Sequence, residues 1–366
     1  MSTPFVRLTV SGITMEGDAI PDWADALVRD HDTEWTRSLR DTVQELVTGD
    51  GAMTARTSGT TGPPKELRFP AKDLMASAHL TGEAFHLRPG DTALLALPCN
   101  FIAGKMMLVR AFVLGLDLRV VPPQGDLAPL LGAGLTHDFA PLVGSQLARL
   151  LEHGGPFVDR HFGSILLGGG PVHGRLRHAI RGLSVPVHQG YGSTETLTHV
   201  ALRRLNGPEE HDDYRACSGV GFRVDDEGRL IVRTPHLSTV EHRTSDLVEL
   251  LDETRFLWLG RADEVILSRG RKLFPEDLEA RSHSVLERPH AFFGEPDERD
   301  GQRVVLFLEP GPGEHDDDAV LERLKRVLRP HELPVRILRG PLPRTGTGKV
   351  QRARLRDQAS GGLADT

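Results

Sequence analysis

Short runs of apolar residues alternate with longer amphipathic stretches between residues 53 and 205. Four apolar runs have the length and composition of buried strands, at residues 92–97, 118–121, 164–167 and 185–188. Between them, apolar positions recur at helical spacing over residues 71–86, Ile102–Leu114, 141–153 and 172–181. This alternation predicts βα units around a mostly parallel sheet.

The pattern changes twice in the second half of the chain. Residues 212–259 contain short apolar runs separated by polar turns, such as Asp225-Asp226-Glu227-Gly228, which predicts a β-rich subdomain. Beyond a boundary at residues 260–263, the pattern predicts strands at 264–268, 304–309 and 335–339, helices at 275–285 and 317–328, a loop at 311–316, and a frayed tail from residue 360. We therefore expect an α/β fold with a large N-terminal domain (residues 1–259) and a small α+β C-terminal domain (residues 264–366).

Charge and cysteine content narrow the class of protein. The formal net charge of −7, with both signs interspersed, argues against a nucleic-acid binder. No uncharged segment has the length of a membrane span, and the N-terminus lacks the pattern of a signal peptide. With only Cys99 and Cys217, a disulfide scaffold is not expected. These features are typical of a cytoplasmic enzyme.

Lysine is rare in this chain. Only six of the 44 basic residues are lysine, and lysine differs from arginine in being a slender, flexible point charge. Four of the six lie beside glycine-containing motifs: Lys65, Lys105, Lys272 and Lys349. This placement marks them as candidate functional residues.

A hydroxyl-rich glycine loop ends on the first of these lysines. Its sequence is Thr57-Ser58-Gly59-Thr60-Thr61-Gly62-Pro63-Pro64-Lys65. Hydroxyls, exposed backbone N–H groups and one ammonium suit a polyphosphate. The spacing of the glycines and the proline pair exclude the usual nucleotide-triphosphate loop. By itself the segment is better explained as a flexible polar surface turn, so a phosphate-binding role depends on partners further along the chain.

Six further motifs follow in order. They are Gly168-Gly169-Gly170-Pro171, Gln189-Gly190-Tyr191-Gly192-Ser193-Thr194-Glu195-Thr196, Thr244-Ser245-Asp246, Gly260-Arg261-Ala262-Asp263, Gly270-Arg271-Lys272, and Pro343-Arg344-Thr345-Gly346-Thr347-Gly348-Lys349. Each is weak by itself. Together, over residues 53–352, they resemble the adenylate-forming superfamily of acyl-CoA synthetases, luciferases and adenylation domains.

The resemblance implies an enzyme that uses ATP, Mg²⁺ and CoA to activate a carboxylic acid. It assigns Lys349 to neutralising charge where the carboxylate meets the α-phosphate of ATP. Thr194 and Glu195 join it as catalytic residues, and Glu195 would also hold the Mg²⁺. The predicted β,γ-phosphate contacts are Thr57, Ser58, Gly59, Thr60, Thr61 and Lys65.

The same resemblance assigns the rest of the nucleotide site. Tyr191 and the Gly169-Gly170-Pro171 turn would enclose the adenine, with Gly192 nearby. Asp246 would accept hydrogen bonds from the ribose hydroxyls, and Arg261 would donate to the same sugar.

The superfamily also moves its small domain between two half-reactions. Asp263 stands at the position of the hinge (residues 260–263), which makes the C-terminal domain a mobile lid. Gly270, Arg271 and Lys272 would then line the tunnel for the CoA thiol. Two departures are visible: only 56 residues precede Thr57, which implies an abbreviated N-terminal subdomain, and Ser245 replaces a common glycine.

Two stretches, residues 101–110 and 196–207, resemble the o-succinylbenzoate–CoA ligases of menaquinone biosynthesis, particularly their short bacterial form. That substrate has two carboxylates, of which one is activated and the other must be held by donors or cations. We expect Lys105, His199 and Arg203 to supply these contacts. A surface lysine at a helix end and a core histidine are the alternatives for Lys105 and His199.

Three functions compete on the sequence alone. The first is an o-succinylbenzoate–CoA ligase. The second is another aryl- or acyl-CoA ligase, or a standalone adenylation enzyme that loads a carrier protein. The third is a non-catalytic nucleotide-binding relative, against which the joint presence of Lys65, Glu195, Asp246, Arg261 and Lys349 argues. The expected partners are small molecules, not nucleic acid or a spanned membrane, and a homo-oligomer is left open.

Overall fold

The structure, a computed structural model, describes residues 3–56, 65–132, 134–170, 172, 174–311, 316–345 and 349–361. Its first part contains β1 (Arg7–Val10), β2 (Ile13–Glu16), α1 (Ala19–Asp30), α2 (Glu34–Val47), β3 (Met53–Arg56) and β4 (Glu66–Phe69). α2 begins after Thr33, whose hydroxyl accepts a hydrogen bond from the N–H of Thr36. This cap satisfies one of the free N–H groups at the start of the helix.

The central part follows the predicted βα rhythm. Its elements are α3 (Ala71–Phe85), β5 (Thr92–Leu95), α4 (Ile102–Leu114), β6 (Asp117–Val120), β7 (Ala140–Val143), α5 (Gly144–Glu152), α6 (Gly155–His161), β8 (Ile165–Gly168), α7 (Gly174–Arg181) and β9 (Val187–Gly192). The helix predicted over residues 141–153 is wrong at its start, where β7 lies. A short apolar run fits either a buried strand or a helix, and Pro141 is tolerated because β7 ends its sheet.

The remaining strands and helices follow in two groups. The first group is β10 (His199–Arg204), β11 (Tyr214–Ala216), β12 (Gly221–Val224), β13 (Arg229–Arg233), β14 (Glu241–Asp252) and β15 (Arg255–Arg261). The second group is β16 (Ile266–Ser268), β17 (Arg271–Leu273), α8 (Pro275–Ser282), β18 (His290–Asp297), β19 (Gly301–Leu308), α9 (Asp317–Leu324), β20 (Arg336–Arg339) and α10 (Arg352–Gly361).

Two large sheets organise the first 261 residues. One has the strand order β2-β1-β6-β5, and the other has the order β12-β13-β14-β15-β11-β10-β9-β8-β7. Parallel pairing joins β1, β6 and β5 in the first sheet and β7, β8 and β9 in the second. The predicted β-rich segment therefore does not form a separate sheet. It is joined to the parallel strands β7, β8 and β9 by antiparallel pairing, within one mixed sheet.

The residues after the predicted hinge form a sheet of their own. Its order is β17-β16-β19-β18, with β20 pairing parallel to β19. Two apolar clusters, one containing Ile266 and Phe292 and the other Phe293 and Leu355, fill its two faces. This separate core agrees with the predicted small α+β domain, whose boundary stays a prediction. In the ranges that the structure describes, no helix is long and apolar enough to cross a membrane.

Candidate active site

Two glycine-containing turns meet at one edge of the nine-stranded sheet. β8 runs parallel to β9, and Leu167 pairs with Gln189. Neighbouring parallel strands end at the same edge, which brings the turn after β8 beside Tyr191. Gln189 joins the two turns directly, because its Nε2 donates a 2.8 Å hydrogen bond to the carbonyl oxygen of Gly170. The predicted adenine residues Gly169, Gly170 and Tyr191 are thus neighbours, whereas Pro171 lies outside the described residues.

Asp246 lies beside Tyr191. Its Oδ2 accepts a 2.5 Å hydrogen bond from Tyr191 Oη, and its Oδ1 accepts a 3.1 Å bond from Trp258 Nε1. Burial raises the pKa of Tyr191 well above its ordinary value, and the Asp246 carboxylate adds to this, so the phenol stays a donor. Each carboxylate oxygen keeps further acceptor capacity. Asp246 can therefore accept hydrogen bonds from the hydroxyls of a sugar.

Arg261 lies directly opposite Asp246 in the pairing of β14 and β15. Its Nε and Nη2 donate to the two oxygens of Asp263, each at 3.0 Å. Burial lowers the pKa of Arg261, but the hydrogen bond and charge of Asp263 outweigh it, and the net pKa is raised. The predicted ribose donor and the predicted hinge residue are therefore directly linked.

Lys349 enters the same cleft from the far end of the chain. A β-carbon placed on Gly170 would lie 3.8 Å from Lys349 Cγ. The residue as a whole is exposed, but protein groups surround its ammonium and this desolvation lowers its pKa, an effect that Asp246 partly offsets and Arg261 reinforces. The Thr345 N–H donates a 2.8 Å hydrogen bond to the Lys349 carbonyl. Three segments remote in sequence thus converge at one point.

Glu195 lies on a tightly folded loop between β9 and β10. Leu197, which is fully buried, has a φ of +64°, and its N–H donates a 3.0 Å bond to the Thr194 carbonyl. A β-carbon on Gly192 would collide with the Thr198 carbonyl oxygen, so this approach requires glycine. A buried leucine with positive φ persists only where its surroundings fix the backbone. The exposed Glu195 is therefore presented from a rigid support.

The donors around Glu195 fit one kind of metal site. In the parts of the chain that the structure describes, no three His, Cys, Asp or Glu side chains are grouped to hold a metal. Mg²⁺ commonly takes only one or two protein carboxylates, with waters and substrate phosphates completing its shell. The exposed carboxylate of Glu195, next to the half-buried Thr194, suits such a site and does not suit an all-protein metal cage.

The predicted phosphate loop connects β3 to β4. These strands pair antiparallel, with Arg56 opposite Glu66. Most of the predicted phosphate contacts lie outside the described residues: Thr57, Ser58, Gly59, Thr60 and Thr61. Lys65 is described and exposed. The role of the loop stays a prediction.

The structure does not bring the three predicted acid contacts together, and Lys105 has partners of its own. Its Nζ donates a 2.7 Å hydrogen bond to the Thr54 carbonyl and lies 3.1 Å from a carboxylate oxygen of Glu45. The side chains of this ion pair are only 15% and 25% exposed. Lys105 therefore ties α4 to α2 and β3.

A β-bulge separates the other two predicted acid contacts. Arg203 lies opposite Gln189, but the register shifts between His199 and Ala201. One extra residue reverses the alternation of side chains along a strand. Accordingly, the ring of His199 packs edge-on against Phe85 with centroids 5.9 Å apart, whereas Arg203 Cζ lies 5.1 Å from the ring centre of Tyr214. His199 and Arg203 thus lie on opposite faces of the sheet.

A buried arginine that the sequence did not single out lies beside His199. Arg110, on α4, is 1% exposed; its Nη2 donates a 2.5 Å hydrogen bond to Thr198 Oγ1, and its Nε donates to Thr81 Oγ1 at 3.1 Å. Within the described residues, none of its contacts is a carboxylate. Burial lowers the pKa of Arg110 to about 9, which leaves it charged at neutral pH. The sequence feature that could have identified Arg110 is its position as an arginine within an otherwise apolar stretch of the predicted helix.

These residues form what we call the Arg110 cluster: Arg110, Thr198, His199 and Phe85. Thr198 Oγ1 joins the two basic side chains, since it also lies 3.2 Å from His199 Nδ1. Burial lowers the pKa of His199 well below its ordinary value, and Arg110 adds to this, so the imidazole is neutral. His199 Nε2 is buried and has no hydrogen-bond partner among the described residues. A buried cation with no carboxylate partner among the described residues, beside an unpaired imidazole nitrogen and an aromatic ring, has the groups needed to hold an aromatic anion.

The predicted thiol-tunnel residues form the hairpin between β16 and β17. Arg269 and Gly270 have φ values of +52° and +71° at its tip, as expected of a tight two-residue turn. Lys272 lines a cavity of 200 Å³ together with Leu247 and Ala262. Lys272 therefore lies near the predicted hinge, and the tunnel role of Gly270, Arg271 and Lys272 stays a prediction.

Comparisons with known proteins agree with this geometry. The model of the AMP-binding enzyme family matches residues 9–239. A probable 2-succinylbenzoate–CoA ligase of Mycobacterium tuberculosis is 33% identical, over 86% of each chain. A 2-succinylbenzoate–CoA ligase of Listeria monocytogenes is 27% identical, over 86% of this chain and 72% of that one.

Solved structures confirm the predicted fold. The acyl-CoA synthetase (AMP-forming)/AMP-acid ligase II-like protein of Dyadobacter fermentans is 34% identical, with a TM-score of 0.58 over 89% of this chain and 94% of that one. The O-succinylbenzoate coenzyme A synthetase of Bacillus subtilis, solved with ATP and magnesium, is 22% identical with a TM-score of 0.71, over 83% of this chain and 69% of that one. The second likeness concerns the fold alone.

Proposed function

This chain belongs to the AMP-binding enzyme family, and on that basis we propose that it is an AMP-forming ligase that joins a carboxylic acid to coenzyme A. The observation that carries the proposal is the convergence of Gly170, Asp246 and Lys349 in one cleft. These groups provide a surface for a base, acceptors for a ribose and a cation for the reacting phosphate.

In the first half-reaction, a carboxylate oxygen of the acid attacks the α-phosphorus of ATP. The bond from that phosphorus to the pyrophosphate oxygen breaks, and pyrophosphate leaves. Two anions must approach each other, so a cation at their meeting point lowers the barrier. Lys349 has the required charge and flexible stem, while Asp246 and Tyr191 hold the nucleoside. Mg²⁺ bound by Glu195 would supply further charge neutralisation at the phosphates.

In the second half-reaction, the thiol of CoA loses its proton and its sulfur attacks the acyl carbon, and AMP leaves. Lys349 lies beside the proposed nucleotide site, where the thiol must also enter, so we infer that the C-terminal domain rotates between the two half-reactions. Gly260 has a φ of +152°, and a β-carbon there would lie 3.0 Å from Phe274. Glycine at this position removes the steric barrier to a hinge. Gly270, Arg271 and Lys272 would reach the cleft by this rotation.

The acid proposed for this site is o-succinylbenzoate. It has an aromatic ring, a carboxylate on that ring and a second carboxylate to be activated. The Arg110 cluster offers a buried guanidinium, the orphaned His199 Nε2 and the Phe85 ring to the aromatic end. The names of the relatives from Mycobacterium tuberculosis and Listeria monocytogenes support the same substrate. A cytoplasmic location, where ATP and CoA are found, belongs to this proposal.

A coupled assay on the purified protein tests the proposal. We expect ATP-, Mg²⁺- and CoA-dependent release of AMP, with o-succinylbenzoate as the best of a panel that includes acetate, benzoate and a fatty acid. Faster thioester formation from any other member would contradict the assigned acid. ATP binding without acid-dependent pyrophosphate release would indicate a non-catalytic relative.

A further inference from the structure

Arg203 contacts groups of the nucleotide site and lies away from the Arg110 cluster. Its Nη2 donates a 2.5 Å hydrogen bond to Gln189 Oε1. Gln189 in turn donates to the Gly170 carbonyl at 2.8 Å. The chain of contacts Arg203–Gln189–Gly170 therefore ends on the turn proposed to enclose the adenine.

This chain of contacts fixes the orientation of the Gln189 amide. A guanidinium only donates hydrogen bonds and a carbonyl only accepts them. The amide oxygen must therefore face Arg203, and the amide nitrogen must face Gly170. Gln189 is 3% exposed, so no bulk water replaces either partner. Removing the guanidinium would leave a buried amide oxygen unpaired and would free the amide to flip away from Gly170.

A second contact leads from Arg203 to the other side of the adenine site. Its guanidinium carbon lies 5.1 Å from the ring centre of Tyr214, within the range of a cation–π interaction. The Tyr214 ring lies 5.6 Å from that of Tyr191, whose hydroxyl donates to Asp246. Arg203 thus supports both the Gly170 turn and the Tyr191 ring, without touching the acid cluster.

We infer that Arg203 is a positioning residue of the nucleotide site, acting through Gln189 and Tyr214 to hold the two surfaces between which the adenine binds. This inference rests on the nucleotide role proposed above. It replaces the role of acid contact that the sequence predicted for Arg203. The reason is the bulge in β10, which places Arg203 on the face of Gln189 and His199 on the opposite face.

Steady-state kinetics of Arg203→Met separates these roles. We expect KM for ATP to rise roughly tenfold and KM for the acid to stay within about twofold, because the variant loosens nucleotide binding alone. Calorimetric titration with AMP, which requires no acid, should show the same loss of affinity. Arg203→Lys should recover part of it, since it retains the charge but not the planar fork.

A double-variant test probes the path through Gln189. Gln189→Met should weaken AMP binding by itself. Combined with Arg203→Met, it should weaken binding by less than the product of the two single effects, because both substitutions break one chain of contacts. Fully multiplicative effects would contradict the assigned path.

Arg204→Met is the matched control, because Arg204 follows on the same strand and is also half-buried, but donates to Asn206. It should change thermal stability without a selective change in KM for ATP.

A rise in KM for the acid alone in Arg203→Met would overturn the inference. A loss of stability with unchanged AMP affinity would equally overturn it. Failure of the unaltered protein to bind AMP would instead contradict the proposed function.

Discussion

At the scale of single residues, the proposed acid site consists of polar groups that are buried without a full set of partners among the described residues. Arg110 has no carboxylate among its described contacts, and His199 Nε2 is unpaired among the described residues. Burying a charge without a counter-ion costs free energy. Such a cost is expected where a ligand supplies the missing group.

Arg110→Met tests this interpretation. The variant keeps much of the side-chain volume and removes the charge, so KM for o-succinylbenzoate should rise by about tenfold or more, as expected from loss of a hydrogen bond to a charged group. KM for ATP should stay within about twofold. Thermal stability should be unchanged or higher, because an uncompensated buried charge is removed.

Lys105→Met provides the comparison on the same helix. Lys105 is paired with Glu45, so this variant should lose stability and keep its KM for the acid. A selective rise in KM for the acid in Lys105→Met, with none in Arg110→Met, would restore the contact that the sequence predicted and contradict the assignment to Arg110.

The structure brings the predicted nucleotide residues together but not the predicted acid residues. Asp246, Tyr191 and Lys349 belong to ordered motifs, and the structure brings them together as expected. Gln189 begins one of these motifs and Arg110 ends the stretch 101–110, but neither was given a role from the sequence, because their contacts depend on packing between α4, β9 and β10. Such contacts between remote elements are not encoded in the spacing of residues along one element.

At the scale of elements, a single bulge decides which face a side chain occupies. Alternation alone would place His199 and Arg203 on one face of β10, since they are four residues apart. The register shift reverses this. Most predicted strands and helices of the central part were confirmed with small shifts at their ends, whereas β7 and β18 were missed because buried apolar runs lack a distinctive period.

The small domain contains a buried cluster of one arginine and three glutamates. Arg352, at the start of α10, lies within 3.0 Å of carboxylate oxygens of Glu264, Glu276 and Glu279. Three carboxylates share one guanidinium, and Glu276 Oε2 has no partner among the described residues. Burial raises the pKa of Glu276 above its ordinary value; Arg352 opposes this, while Glu279 and Glu264 add to it. The folded protein therefore takes up a proton on this cluster at a higher pH than the unfolded chain does.

The raised pKa of Glu276 predicts that the stability of the folded protein depends on pH. Unfolding restores the ordinary pKa of Glu276, 4.5, so above that pH the unfolded state binds fewer protons than the folded state. Stability should then fall as pH rises from about 4.5 and level off above the raised pKa, by at most about 1.4 kcal/mol per pH unit. Glu276→Gln should flatten this slope and raise Tm at alkaline pH. Measuring Tm from pH 5 to pH 9 checks both statements.

Glu287→Gln is the matched control, because Glu287 is exposed and pairs with Arg175 at the surface. Its Tm profile should follow that of the unaltered protein. If Glu276→Gln shows the same slope as this control, the proton lies elsewhere and the account of the cluster fails.

At the scale of the whole molecule, the proposed catalytic cleft is assembled from the middle of the chain and its C-terminal part. Asp246 lies on β14 of the nine-stranded sheet and Gly170 lies in the turn after β8 of that sheet, whereas Lys349 belongs to the small domain with its separate core. The order of motifs predicted that these parts would meet. Their positions in the sequence could not predict how far apart they lie in space, because only packing of the small domain against the sheet brings Lys349 beside Gly170.

Single-turnover formation of the acyl-adenylate by Lys349→Ala tests the central claim most directly. Lys325→Ala is its control, since Lys325 is an exposed lysine of the same domain paired with Glu322. We predict that Lys349→Ala slows adenylation by at least about 100-fold, or about 2.7 kcal/mol of barrier, and leaves AMP affinity within about threefold. Adenylation within about tenfold of the unaltered enzyme would contradict the account.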